Sequence, residues 1–168
     1  GAAAVAGEPA AVSGGFYQRS SARPPAAQID SSLSGFFGGW RGDSIFKLDT
    51  GEYWQQASFA YRHAFAFRPA VSVVRDPAGY TMHVAGVEDA IAVKRLELAA
   101  DTTMVGAFDG WDGDTRFELA DGQVWKQAAH AYVYHYAYRP HVIIYRKAGH
   151  FEMRVEGLDT SVEVTQLR

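Results

Sequence analysis

From residue 30 onward, apolar and polar positions alternate in short runs separated by glycine, proline and aspartate, the pattern of strands joined by tight turns. Ile45-Phe46-Lys47-Leu48 alternates, Asp49-Thr50-Gly51 turns the chain, and Glu52 to Gln56 returns. Arg116 to Leu119, Ala120-Asp121-Gly122 and Gln123 to Gln127 repeat that hairpin. Two more hairpins follow Pro69 and Pro140. Val71 to Arg75 leads through Asp76-Pro77-Ala78-Gly79 into Tyr80 to Val84, and Val142 to Arg146 leads through Lys147-Ala148-Gly149 into Phe151 to Val155. A segment opening on glycine, Gly86-Val87-Glu88-Asp89 or Gly157-Leu158-Asp159-Thr160, precedes each last strand, and a single 3₁₀ turn is expected there. No segment shows a sustained helical period, so the fold class is all-β. About five or six short strands per copy predict two tandem small SH3-like barrels, with OB-like barrels as the alternative.

The tandem arrangement rests on a constant, gapless offset of 71 residues: Asp30 to Glu97 aligns on Asp101 to Arg168, and 25 of the 68 pairs are identical. The identities include Gly35 with Gly106, Phe37 with Phe108, Trp40 with Trp111, Trp54 with Trp125, and Arg68-Pro69 with Arg139-Pro140. The expected domains are therefore 30–97 and 101–168, joined by Leu98-Ala99-Ala100, after a low-complexity segment 1–29 rich in Ala, Gly, Ser and Pro. In that segment Phe16-Tyr17 and Arg23-Pro24-Pro25 are expected to pack on a barrel, the latter as a polyproline stretch in an aromatic groove.

Within each copy one stretch alternates with period two. Phe59, Tyr61, His63, Phe65 and Phe67 share a face in the first; His130, Tyr132, Tyr134, Tyr136 and Tyr138 share it in the second. Burial as core, or as a seal between copies, is the plainer reading, with the opposing alanines admitting a close neighbour. The other reading is an exposed platform that stacks on sugar rings or takes an extended peptide.

Composition narrows the function classes. The formal net charge of −3, with Lys and Arg scattered among acids, lacks the basic footprint of a nucleic-acid partner. No apolar run is long enough for a membrane helix, so no membrane insertion is expected. Cysteine is absent, which excludes disulfides and thiolate chemistry. His130, His135 and His141 lie close in sequence, but strand geometry turns His130 and His135 to opposite faces, so no metal is expected. The acidic run Asp109 to Asp114 becomes Gly38 to Asp43 in the first copy and reads as a turn rather than a calcium loop; Arg41-Gly42-Asp43 occupies the same slot. No nucleophile with an adjacent base, phosphate-cradling loop or cofactor signature occurs, so neither catalysis nor a cofactor is expected.

The stretch Gly110-Trp111-Asp112-Gly113-Asp114-Thr115-Arg116-Phe117-Glu118-Leu119, followed by Asp121-Gly122-Gln123-Val124-Trp125-Lys126-Gln127, resembles a small SH3-like domain family of exported bacterial proteins. The first copy departs from that pattern at Arg41, Ser44, Glu52 and Tyr53. The resemblance implies an SH3-like fold and export to the periplasm or beyond; it implies no activity. Together these readings predict a non-catalytic envelope module that binds a protein, a peptide or a cell-wall glycan. The candidate binding residues are Trp40, Trp54, Tyr61, Arg68, Trp111, Trp125, Tyr132, Tyr134 and Arg139. A structural or assembly protein is the alternative.

Overall fold

A computed structural model describes residues 28–168 and shows an all-β chain that divides into two compact units at Lys94/Arg95. Phe16-Tyr17 and Arg23-Pro24-Pro25 lie outside the described residues.

The first unit contains β1 (Gln28–Ser32), β2 (Phe36–Arg41), β3 (Ile45–Lys47), β4 (Tyr53–Gln56), β5 (Tyr61–Phe67), β6 (Ala70–Asp76), β7 (Gly79–Val84) and β8 (Ile91–Arg95). Six of them form a sheet in the order β1-β6-β7-β8-β4-β3, and β2 pairs with β5 as a separate antiparallel ribbon. The sheet curls until its edges meet. Leu33 bridges Leu48, the Ser34 N–H donates to the Lys47 carbonyl (2.9 Å), and the Asp49 N–H donates to the Ser32 carbonyl (2.8 Å). Joining the edges in this way removes the unpaired backbone that an open sheet exposes.

The second unit repeats the plan with β9 (Glu97–Thr103), β10 (Ala107–Trp111), β11 (Arg116–Glu118), β12 (Val124–Gln127), β13 (Val133–Tyr138), β14 (His141–Lys147), β15 (His150–Val155) and β16 (Ser161–Gln166). Its sheet runs β11-β12-β16-β15-β14-β9, its ribbon is β10-β13, and Met104 bridges Leu119 where the edges meet.

Eight strands per unit exceed the five or six expected, because β2 and β5 leave the main sheet to make a ribbon of their own. Leu98-Ala99-Ala100 is not a joint: it lies within β9, where Leu98 pairs with Tyr145 and Ala100 with Ile144. The expected 3₁₀ turns are also replaced. Gly86 and Gly157 take φ of 85° and 91°, outside the 3₁₀ range, and each sits in a turn closed by a single bond, Val87 N–H to the Val84 carbonyl (3.0 Å) and Leu158 N–H to the Val155 carbonyl (2.9 Å).

Each unit has its own apolar core. In the first it gathers around Trp54, with Phe37, Trp40, Leu48, Val73 and Met82; in the second it gathers around Trp125, with Phe108, Trp111, Ile144, Met153 and Val155. The Trp54 indole N–H donates to Glu52 Oε1 (3.0 Å) and that of Trp125 to Gln123 Oε1 (2.7 Å), so each ring buries its carbon surface with its polar atom satisfied.

Candidate functional site

The ribbons carry the surface of interest. Inward-facing Ala64 and Ala66 on β5, and Val133 and Ala137 on β13, pack against the cores. Alternation therefore turns the aromatic residues outward. Every ring of the stripe is exposed: Phe65 at 79% and Tyr134 at 84%, with Phe59, Tyr61, Phe67, Tyr132, Tyr136 and Tyr138 all at 60% or more. The reading of the stripe as core is thus corrected. Alternate residues on a strand lie about 7 Å apart, so the rings form a row along one face.

Two devices that are identical in both units fix these ribbons. Gly39 and Gly110 sit at the bulge in the β2-β5 and β10-β13 pairings, at φ of 94° and 104°. A Cβ there would fall 1.8 Å from the Arg62 carbonyl oxygen in one unit and 2.0 Å from that of Val133 in the other, so only glycine fits. Gln56 and Gln127 are buried side chains that sequence reasoning left without a role. Gln127 Oε1 accepts the N–H groups of Gly113 (2.7 Å) and Thr115 (3.4 Å), while Nε2 donates to the carbonyls of Ala129 (2.9 Å) and Ala131 (2.7 Å). Gln56 makes the same four bonds, to Gly42, Ser44, Ser58 and Ala60. Each amide ties the turn after the first ribbon strand to the segment leading into the second. The one available signal was its identity in both copies, beside the tryptophan.

The faces differ chemically. In the first unit Phe36, missed in the sequence, joins the row from β2, stacks on Phe65 (5.5 Å, 7°) and meets Phe67 at a tilt (5.0 Å, 59°). The equivalent residue in the second unit is Ala107, and the row there is tyrosine, with His130 set edge-on to Tyr132 (5.6 Å, 90°). Beside Tyr132 and Tyr134 opens a cleft of about 590 Å³, lined by β10, by β11, and by Asp112 and Thr115 between them.

The four candidate tryptophans do not belong to either surface. Trp40, Trp54, Trp111 and Trp125 are at most 3% exposed. Trp111 borders the cleft, but the large apolar area of indole is used by the cores. Tyr61, Tyr132 and Tyr134 lie on the exposed faces. Arg68 and Arg139 share a left-handed backbone (φ 47° and 48°), and their N–H groups donate to the carbonyls of Gly35 and Gly106 (2.8 Å each). Their side chains diverge. Arg68 pairs with Asp49 (2.6 Å), whose carboxyl it holds below the usual range, helped by a hydrogen bond from Ser34. Ala120 replaces that aspartate in the second unit, and Arg139 has no ion-pair partner among the described residues.

The slot shared by Arg41-Gly42-Asp43 and Asp112-Gly113-Asp114 is a turn, as expected. The Asp112 N–H donates to Thr115 Oγ1 (2.9 Å), and the Thr115 hydroxyl donates to Asp112 Oδ1 (2.7 Å). That hydroxyl, with the Asp114 N–H, lowers the Asp112 pKa. The three histidines are set to different tasks: His130 lies on the aromatic face, His135 turns inward near Gly157, and His141 Nε2 meets Asp101 Oδ1 (2.6 Å). Comparison with protein-family models, curated proteins and solved structures finds no match to the chain.

Proposed function

We propose that this chain is a non-catalytic binding module of the bacterial cell envelope, built on SH3-like units, and that it recognises an extended peptide or a glycan on the tyrosine face of its second unit. The observation that carries the reading is the row Tyr132, Tyr134, Tyr136 and Tyr138, solvent-exposed and bordered by an open cleft. Tyrosine suits this role because the ring offers a flat apolar surface at small entropic cost while its hydroxyl remains free to bond. Arg139, at the end of the row, adds a planar donor for a carboxylate or a sugar hydroxyl. Export to the envelope is part of the proposal and follows from the family resemblance.

The test is titration of the full chain with cell-wall glycan fragments and with proline-rich peptides, followed by calorimetry. One of the two classes should bind, and Tyr134→Ala should weaken it about tenfold. No heat or chemical-shift response to either class would overturn the reading.

A further inference from the structure

The two units frame one slot with the same backbone and fill it differently. In the first, the N–H of Leu33 donates to the carbonyl of Pro69, Ser34 to Lys47, Asp49 to Ser32, Gly51 to Leu48 and Arg68 to Gly35, all at 2.8 to 2.9 Å. In the second, Met104 donates to Pro140, Val105 to Glu118, Ala120 to Thr103, Gly122 to Leu119 and Arg139 to Gly106, all at 2.8 to 3.0 Å. Within the first frame Arg68 Nη2 donates to Asp49 Oδ2 (2.6 Å) and the Ser34 hydroxyl donates to Asp49 Oδ1 (3.0 Å), so both carboxylate oxygens are engaged. In the second, Ala120 replaces Asp49 and Val105 replaces Ser34, both exposed. Arg139 is exposed as well, and no described residue forms an ion pair with it. It nevertheless keeps the left-handed backbone (φ 48°) that arginine adopts only at a cost, the more so before Pro140. The ion pair with Asp49 offsets that cost in the first unit; no ion pair does so in the second.

We infer that Arg139 anchors a carboxylate of a bound peptide, in the place that the first unit fills with its own Asp49. Asp49 stands in for the ligand group: a planar carboxylate accepting from a guanidinium, the pairing for which arginine is best shaped. The inference rests on the tyrosine face being a recognition surface, and it narrows the ligand. Tyr138 ends the row on β13 and directly precedes Arg139. A peptide extended along that strand shares its two-residue repeat of about 7 Å, so its side chains meet the rings in step and the next one reaches the guanidinium. That common repeat favours a peptide over a glycan. The charges near the slot restrict the peptide further. Glu118 stands where the first unit has Lys47, and Asp121 where it has Thr50; Asp121 accepts from the Gln123 N–H and from Nε2 (3.1 Å each). Among the residues lining the cleft, Asp109 and Asp112 join Glu118 against Arg116. A ligand with several acids is repelled there, whereas a single carboxylate flanked by neutral or basic residues suits both the arginine and its surroundings. The peptide's C-terminus and an acidic side chain offer the guanidinium the same group.

The experiment titrates the full chain by calorimetry with two matched pairs of N-acetylated, proline-rich peptides, each containing one lysine. One pair ends in a free carboxylate or in an amide; the other, amidated throughout, carries glutamate or glutamine at one internal position. The carboxylate member of at least one pair should bind about tenfold more tightly than its neutral partner, and the pair that does so identifies the source of the group. Arg139→Gln and Ala120→Asp should each bring that ratio to about one, the first by removing the donor, the second by filling the slot from within. Both positions are exposed, and unchanged circular dichroism and Tm will confirm that the variants fold. Ala120→Asp also tests the slot without ligand. By carboxyl-carbon NMR the introduced group should titrate below the ordinary 3.8, as Asp49 does, and adding Arg139→Gln should raise its midpoint. An introduced carboxyl with an ordinary midpoint overturns the inference, and so does a carboxylate preference that survives Arg139→Gln. Equal binding of the carboxylate and neutral peptides keeps the proposed function and loses the inference, as does a chain that binds glycan fragments and none of the peptides. A preference that Arg139→Gln removes but Tyr134→Ala leaves intact keeps the anchor and takes the tyrosine face out of the proposed function. No binding of either ligand class overturns both.

Discussion

At the scale of single residues, the ribbons depend on side chains that touch no ligand. Gly110 admits no Cβ, because a backbone carbonyl rather than a flexible side chain occupies the space. Gly110→Ala should therefore lower unfolding stability by about 2–4 kcal/mol in urea titration, near the upper range for a strained backbone and a broken pairing. Gln127 is the polar counterpart. Gln127→Leu removes the partner of two half-buried N–H groups and two carbonyls, and should cost about 1–3 kcal/mol with faster hydrogen exchange at Gly113. Asp112 gives a pH signature. Its folded pKa lies below the ordinary 3.8, so the contribution of its turn bonds is present above that value and lost as pH falls through the folded pKa. A carboxyl-carbon NMR titration should find Asp112 ionising below 3.8, and Thr115→Val should raise that midpoint. The glycine and glutamine were legible in the sequence only as identities between copies, since their roles depend on chain segments that folding brings together.

At the scale of elements, alternation along β13 makes adjacent residues answer to different demands. Tyr136 is 60% exposed, whereas Ala137 packs on the core. Tyr136→Ser should leave stability within about 0.5 kcal/mol, and Ala137→Leu should cost about 1–3 kcal/mol by overpacking; thermal unfolding of the pair checks the contrast. The period of two was plain in the sequence, as were the hairpins on either side of Gly51 and Gly122. Period alone does not say which face is inside when one is aromatic and the other alanine. Apolar content favoured burying the rings, but the cores were already filled by tryptophan, so the small residues turned inward. In β14, Tyr145 is fully buried, and its hydroxyl bonds Ser161 Oγ (2.8 Å) and Glu152 Oε1 (3.3 Å). Burial raises its pKa above 10.0. Its contribution should be complete below pH 10 and decline as pH rises through the folded value, with Tyr145→Phe flattening that decline in urea unfolding at alkaline pH.

At the scale of the whole molecule, duplication supplied two versions of one scaffold and let their surfaces diverge. The turn glycines (Gly35 and Gly106, Gly42 and Gly113, Gly51 and Gly122, Gly86 and Gly157), the tryptophans, the bulge glycine and the buried glutamine are identical in both copies, while the exposed rings Phe65 and Phe67 change to Tyr136 and Tyr138. The sequence by itself determined the all-β class, the 71-residue repeat and the alternation of the ribbons, because these depend on local periods and on residues compared in register. Only the tertiary structure decided that the tryptophans are core, that the aromatic rows face solvent, that Phe36 joins one of them, and that an acidic cleft opens beside the other. Those outcomes turn on which surfaces compete for a limited interior, a contest between segments far apart in the chain that no local pattern records.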